Sequence, residues 1–267
     1  VTERGFELAE AAATVPVALS DRRAVLPAAQ TNLQLYAQLH RLGFTPAQML
    51  QVRDGYEFAT ALFAGQFRGS GKPFVAHLVG TASVLAAVGA PPDVVVAGLL
   101  HAAYEQGDFG LARWRHRRAR VRAALGPTVE ALVWRYNERP WTPAEVVRIR
   151  ANPTLLSPMD RQIVLMRLAN ELDDNLDLAM LYCAAEKDAF RDCRDDMVAL
   201  AHAISGIALA NALTATFRED ADGAWAAALS LDRAFSYQLA SSFGLRLLKP
   251  AQKLRRIAER LAKRAGL

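Results

Sequence analysis

Apolar positions recur at helical spacing along most of the chain, and nowhere do they alternate over a useful length. Leu33, Leu35, Tyr36 and Leu39 share a face between Pro27 and Arg41, and Gly43 closes that helix. Thr45-Pro46 supplies an N-cap followed by a proline at the first helical position. Met49, Val52, Tyr56, Phe58, Ala59, Leu62 and Phe63 carry the next helix to about Gly65. Gln66–Lys72 is a glycine-rich loop, and Pro73 starts a helix that reaches Val88. After the turn Gly89-Ala90-Pro91-Pro92, the stretch from Asp93 to about Glu105 reads as one helix, apolar on all sides and hence the buried central one. Beyond Gly107-Asp108-Phe109-Gly110 come an arginine-dense helix (Leu111–Leu125) and a short helix opened by Gly126-Pro127-Thr128 that runs to Tyr136. Thr142-Pro143 caps a helix ending before Pro153, Ser157-Pro158 begins a long one through Tyr182, and Ala189–Arg218 reads as another. Ala224–Phe243 and the basic amphipathic stretch Pro250–Ala265 complete an all-α pattern. It divides into an arm (1–27), a helical core (28–182) and a C-terminal helical extension packed on that core (183–267).

Composition narrows the class. Of 267 residues 52% are apolar, enough for a large core and too many for a disordered chain. No stretch of about eighteen apolar residues is free of charges, so no membrane span is expected. The start, Val-Thr-Glu-Arg-Gly-Phe, lacks the basic and then apolar regions of a signal peptide. Cys183 and Cys193 are the only cysteines, which fits a reducing, cytoplasmic setting and offers no second pair for zinc. Val1 and the Ala/Arg-rich composition suit a bacterial GTG start.

The net charge of +5 is clustered. Arginines at 113, 115, 117, 118, 120 and 122 crowd one helix. The tail carries Lys249, Lys253, Arg255, Arg256, Arg260, Lys263 and Arg264 beside an apolar face of Leu254, Ile257, Leu261 and Ala265. That tail suits an anionic membrane surface, a partner, or packing on its own domain or in a homodimer. No recognised reader motif accompanies either basic helix, so nucleic acid is not an expected partner.

The candidate chemistry lies in three stretches. His77 and His101 each sit on an apolar helix, where a polar group needs a partner or costs on the order of 1–3 kcal/mol. Arg68 and Lys72 flank Gly69-Ser70-Gly71, and Asn170, Asp173 and Asp174 lie far downstream. The strings Gly65-Gln66-Phe67-Arg68-Gly69-Ser70-Gly71-Lys72-Pro73-Phe74-Val75-Ala76-His77 and Ala97-Gly98-Leu99-Leu100-His101 resemble the HD-domain metal phosphohydrolases, and most closely the hydrolase domain of the RelA/SpoT alarmone enzymes. The resemblance runs over about Met49–Glu105 and resumes at Arg161–Leu176.

What the resemblance implies is an HD-like helical bundle with additional C-terminal helices, and a degenerate metal site. The family's metal-binding histidines map onto His77 and His101. The aspartate of its His-Asp doublet maps onto Ala102, and its later aspartate onto Asn170. A hard ion such as Mn²⁺ prefers carboxylate and water oxygens, so losing two anionic ligands disfavours it. No metal is therefore expected, unless Asp173, Asp174 or Glu105 supplies a rearranged carboxylate. The resemblance also sets Arg68 and Ser70 beside a nucleotide. Uncharacterised HD-like bacterial proteins share the His-small-x-Tyr pattern that here reads His101-Ala102-Ala103-Tyr104.

Three readings stay open. The first is a metal-free pocket for a small anionic or nucleotide-like ligand, bound by Arg68, Ser70, Lys72, Asn170, Asp173 and Asp174, with His77, His101, Tyr104 and Glu105 as acid–base groups. The second is a non-catalytic binding module in which Tyr104 fills the space of the metal. The third is a metallophosphohydrolase with shifted ligands.

Overall fold

Three caps read from the sequence open helices where expected. In the computed structural model, which describes residues 26–176, 190–221 and 237–238, the hydroxyls of Thr45, Thr142 and Ser157 each accept the N–H three residues on. They start α2 (Pro46–Phe63), α7 (Pro143–Ala151) and α8 (Pro158–Asn175). The first helix, α1 (Asn32–Arg41), begins later than Pro27, because Thr31 and Gln34 form a reciprocal capping box that fixes its start. The other helices are α3 (Phe74–Ala87), α4 (Pro92–Leu100), α5 (Ala103–Gln106), α6 (Trp114–Glu138), α9 (Arg194–Ser205) and α10 (Ile207–Ala221).

The architecture is all-α. The one sheet among the described residues is an antiparallel pair of two-residue strands, β1 (Gln66–Phe67) and β2 (Tyr237–Gln238). β2 falls inside the expected helix Ala224–Phe243 and interrupts it. The arm up to Val25 and the basic tail Pro250–Ala265 lie outside the described residues, as does Cys183.

Three further expectations are corrected. The stretch Asp93–Glu105 is not one helix: α4 stops at Leu100, and His101-Ala102 form a turn before the single turn of α5. α8 stops at Asn175, with Leu176 extended (φ −59, ψ 147), short of Tyr182. Ala189–Arg218 is divided by Gly206 at φ 85 into α9 and α10. The break expected at Gly126 is present as a kink inside α6, where φ 87 and ψ 167 admit glycine readily.

α4 is the buried centre: every residue from Val94 to Leu100 is buried. α3 packs on α4 and α8, and α4 also meets α2 and α6. This arrangement brings the start of α3, the end of α4 and the last turns of α8 together. No helix among the described residues is long and apolar enough to cross a membrane.

Candidate functional site

The glycine-rich loop is a tight turn. The Arg68 N–H donates to the Lys72 carbonyl at 2.9 Å, the Gly71 N–H returns to the Arg68 carbonyl at 2.9 Å, and Gly71 takes φ 87. The turn holds the two cations side by side, and both reach consecutive carboxylates on α8. Lys72 Nζ donates to both oxygens of Asp173 at 2.9 Å, and Arg68 Nη2 donates to Asp174 Oδ1 at 2.5 Å. Asn170 Nδ2 donates to the other oxygen of Asp174 at 3.0 Å. Ser70 stays within the turn, its Oγ 3.5 Å from the Lys72 N–H.

Asp173 lies at the bottom of this arrangement, with no exposure. Its Oδ2 is 2.7 Å from His77 Nδ1 on the first turn of α3. The carboxylate fits because residue 80, one turn after His77, is glycine. A β-carbon there would stand 1.8 Å from Asp173 Oδ1. Burial alone would raise the Asp173 carboxyl. The bond and charge of His77, with Lys72, outweigh it and hold the carboxyl below its ordinary range.

His101 closes the network from the end of α4. Its Nδ1 is 2.7 Å from the Gly98 carbonyl, and its Nε2 is 3.2 Å from His77 Nε2. These contacts fix the proton positions. A carbonyl and a carboxylate only accept, so both Nδ1 atoms carry hydrogen. Two Nε2 lone pairs would then face each other at 3.2 Å, an arrangement that needs a positive centre between them. Burial, and next the charge of His77, keep His101 well below its ordinary pKa and hence neutral. With His101 neutral, a proton bridging the two Nε2 atoms would sit on His77 and make it an imidazolium lying between Asp173 and His101. With that proton, three cations (Arg68, Lys72, His77) face two anions (Asp173, Asp174), leaving one positive charge.

His77, Asp173 and Asp174 are also the one group among the described residues whose possible metal-ligating atoms converge, all within 4.8 Å of one another. As arranged, they do not suit a hard divalent ion. His77 Nδ1 donates to Asp173, both Asp173 oxygens accept from Lys72, and Asp174 accepts from Arg68 and Asn170. The acidic oxygens lie on the Nδ1 edge of His77, whereas His101 lies on its Nε2 edge.

Of the residues singled out by sequence, His77, His101, Arg68, Lys72, Asn170, Asp173 and Asp174 come together in one network. Tyr104 goes elsewhere. The turn at His101-Ala102 removes it from the helix face of His101, and its hydroxyl is 3.3 Å from Glu130 Oε1 while its ring stacks on Phe109. Glu105 is exposed on the same short helix. Sequence reasoning missed Glu130. It is fully buried and accepts from Arg118 Nε at 2.5 Å and Nη2 at 3.0 Å, and from Arg122 at 2.8 Å. A lone glutamate in the run Val129-Glu130-Ala131-Leu132-Val133 was the available signal. Tyr136 and Arg167 were missed as well. The Tyr136 ring lies 5.2 Å from that of His101, and the Arg167 guanidinium stands 3.7 Å above Tyr136. Burial pushes the Tyr136 hydroxyl up to about 12.

Residues 58–139 match the model of a domain of unknown function, DUF6817. The chain is 36% identical over 61 residues to GTP pyrophosphokinases of Streptomyces antibioticus and Streptomyces coelicolor, a match covering 23% of this chain and only 7% of each relative. A solved structure described as a metazoan ortholog of SpoT that hydrolyses ppGpp and plays a role in starvation responses aligns with a TM-score of 0.46 at 19% identity. That alignment covers 63% of this chain and 94% of the other.

Proposed function

We propose that this is a divergent HD-fold protein that binds a small anionic, nucleotide-like ligand over the rim of Arg68, Ser70, Lys72 and Asn170, without a metal. The observation that carries this reading is the His77–His101 contact. Both Nδ1 atoms are committed to acceptors, so a proton fills the 3.2 Å gap between the Nε2 atoms. The resulting excess positive charge, beside the part-exposed Arg68 and Lys72, attracts an anion. Lys72 supplies Asp173 with the countercharge that an ion would otherwise give. The local similarity to GTP pyrophosphokinases supports a guanine nucleotide as the first ligand to try. In this reading His77 and His101 store and hand on a proton, and the ligand's phosphate replaces Asp174 at Arg68.

A second reading, a non-catalytic regulatory module, is favoured by the closure of the cations on Asp173 and Asp174. Calorimetric titration with guanosine tetraphosphate and GDP, with and without EDTA, tests the first. Binding that survives EDTA and weakens at least tenfold in Arg68→Ala is the expected result. Stoichiometric bound manganese, with manganese-dependent pyrophosphate release from guanosine tetraphosphate, would overturn it in favour of a metallohydrolase. EDTA-insensitive binding with no turnover of the nucleotide selects the regulatory module.

A further inference from the structure

The arginines at the start of α6 divide into two sets. Arg118 and Arg122 are taken up by Glu130, and Arg117 Nε donates to the Ala112 carbonyl at 2.9 Å. Arg113, Arg115 and Arg120 are exposed, and none of the three meets a carboxylate among the described residues. The other acidic groups around them are Glu105 and Asp108 ahead of α6, Glu138 at its far end, and Glu57 on α2, which packs on α6. Glu57 lies 3.7 Å from Arg53, Asp108 Oδ1 accepts the Gly110 N–H at 2.9 Å, and Glu138 acts on Arg118 and Arg135. The six arginines from 113 to 122 outnumber Glu105, Asp108, Glu130 and Glu138, so this face keeps a positive excess.

An aromatic ring stands in the middle of it. Trp114, the first residue of α6, lies between Arg113 and Arg115 and is 53% exposed. Its ring stacks on Trp134, with 5.5 Å between centroids and 24° between planes. Trp134 is held in turn by the Arg118 guanidinium at 4.2 Å and by a T-shaped contact with Tyr104 at 5.7 Å. Along a straight helix, residues as far apart as 114 and 134 stand ~30 Å from each other, so the kink at Gly126 is what lets the two rings meet. Trp114 is therefore a fixed platform, backed by another ring and open on its outer side.

The ligand must supply both anionic groups and a flat face. An inorganic anion or an acidic peptide would answer the arginines and leave the ring unused. A lipid surface would accept Trp114 and the exposed Leu111, yet it gains nothing from a ring held in one orientation. Paired strands hide the faces of their bases, whereas a single strand offers them beside its phosphates. We propose that the start of α6 is a binding surface for single-stranded nucleic acid. One base stacks on Trp114, and the neighbouring phosphates take Arg113, Arg115 and Arg120. Stacking and charge read no base edges, so such a surface leaves no reader motif in the sequence.

The test follows the fluorescence anisotropy of labelled ten-nucleotide strands of oligoadenylate RNA, oligoadenylate DNA and an abasic backbone of equal charge, titrated with the full chain. Binding of RNA, DNA or both is expected, with the abasic strand at least fivefold weaker. Trp114→Ala should weaken binding of the oligoadenylate at least fivefold, and Trp114→Phe should restore most of it. Replacing Arg113, Arg115 and Arg120 together by glutamine should reduce the slope of log affinity against log salt by about 2. Excess GDP should leave the strand bound; its displacement by GDP would assign it to the rim of Arg68 and overturn the proposal. Equal binding of the abasic strand, unaltered binding in Trp114→Ala, no binding of any strand, or sedimentation with vesicles containing phosphatidylglycerol in place of strand binding would each overturn it as well.

Discussion

Two carboxylates in this chain, Asp173 and Glu130, are equally and completely buried, yet they are held in opposite ways. Glu130 sits among guanidiniums from its own helix, Arg118 and Arg122, with the Tyr104 hydroxyl beside them. Guanidiniums do not give up protons in proteins, so that cluster is a fixed brace across the Gly126 kink. Asp173 is held by Lys72 and His77, from 101 and 96 positions away, and behind His77 stands His101. Its partners include an imidazole, whose other ring nitrogen faces a second imidazole. The same degree of burial thus goes with a fixed ion cluster in one place and with a hydrogen-bonded histidine pair in the other.

The sharpest way to break this contrast is to remove each carboxylate. Asp173→Ala strands the buried His77 ring and the Lys72 ammonium, and should cost about 3–5 kcal/mol in denaturant unfolding. Glu130→Ala frees arginines whose side chains are 27% and 57% exposed and can turn to water, so about 2 kcal/mol is expected. A larger loss at Glu130 would reverse the ranking. Next in size is Gly80→Ala. Its methyl group must displace the Asp173 carboxylate, and about 2–3 kcal/mol of lost stability is expected, with no such effect at the open Gly89 beyond its backbone strain.

Acid sharpens the comparison further. His101 is held neutral in the fold, its pKa below the unfolded value of about 6.5, so the unfolded chain gains the proton first. Stability is full above that value and falls as pH drops through it, by up to about 1.4 kcal/mol per pH unit. Asp173, with a depressed folded pKa, adds a second loss only below about pH 4. Melting curves at pH 7.5, 6 and 5 measure the first loss, and His101→Gln, which keeps an acceptor for His77, should shrink it. The Glu130 brace contributes nothing in that window. The smallest effect belongs to Tyr104→Phe, which loses one 3.3 Å bond to Glu130 for about 0.5–1 kcal/mol. Unchanged ligand binding in that variant would place the tyrosine with the brace and outside the acid–base groups.

The sequence made the caps legible because Thr45, Thr142 and Ser157 act within four residues, and local chemistry decides them. Gly206 was equally readable as a terminator and was passed over. The turn at His101-Ala102 had no such sign. Leu-Leu-His-Ala-Ala-Tyr contains no helix breaker, and its error carried Tyr104 onto the wrong face. The histidines and the acidic pair could be gathered from sequence as candidates. That Asp173, rather than Asn170, meets His77 depends on where α8 crosses α3, and on a missing β-carbon at Gly80. Glu130 was hidden because its arginines lie eight and twelve positions back, across a kink that breaks helical spacing.

The strand pair of Gln66–Phe67 with Tyr237–Gln238 has a consequence for the order of assembly. The loop that presents Arg68 begins at a strand whose partner is translated 170 residues later, 67 to 237. During synthesis that edge leaves the ribosome unpaired and stays so until most of the chain has followed. At the ~5–20 residues per second of translation this is a wait of roughly ten to thirty seconds. The strand pairing beside Arg68 is thus among the last contacts of the described residues that synthesis makes possible.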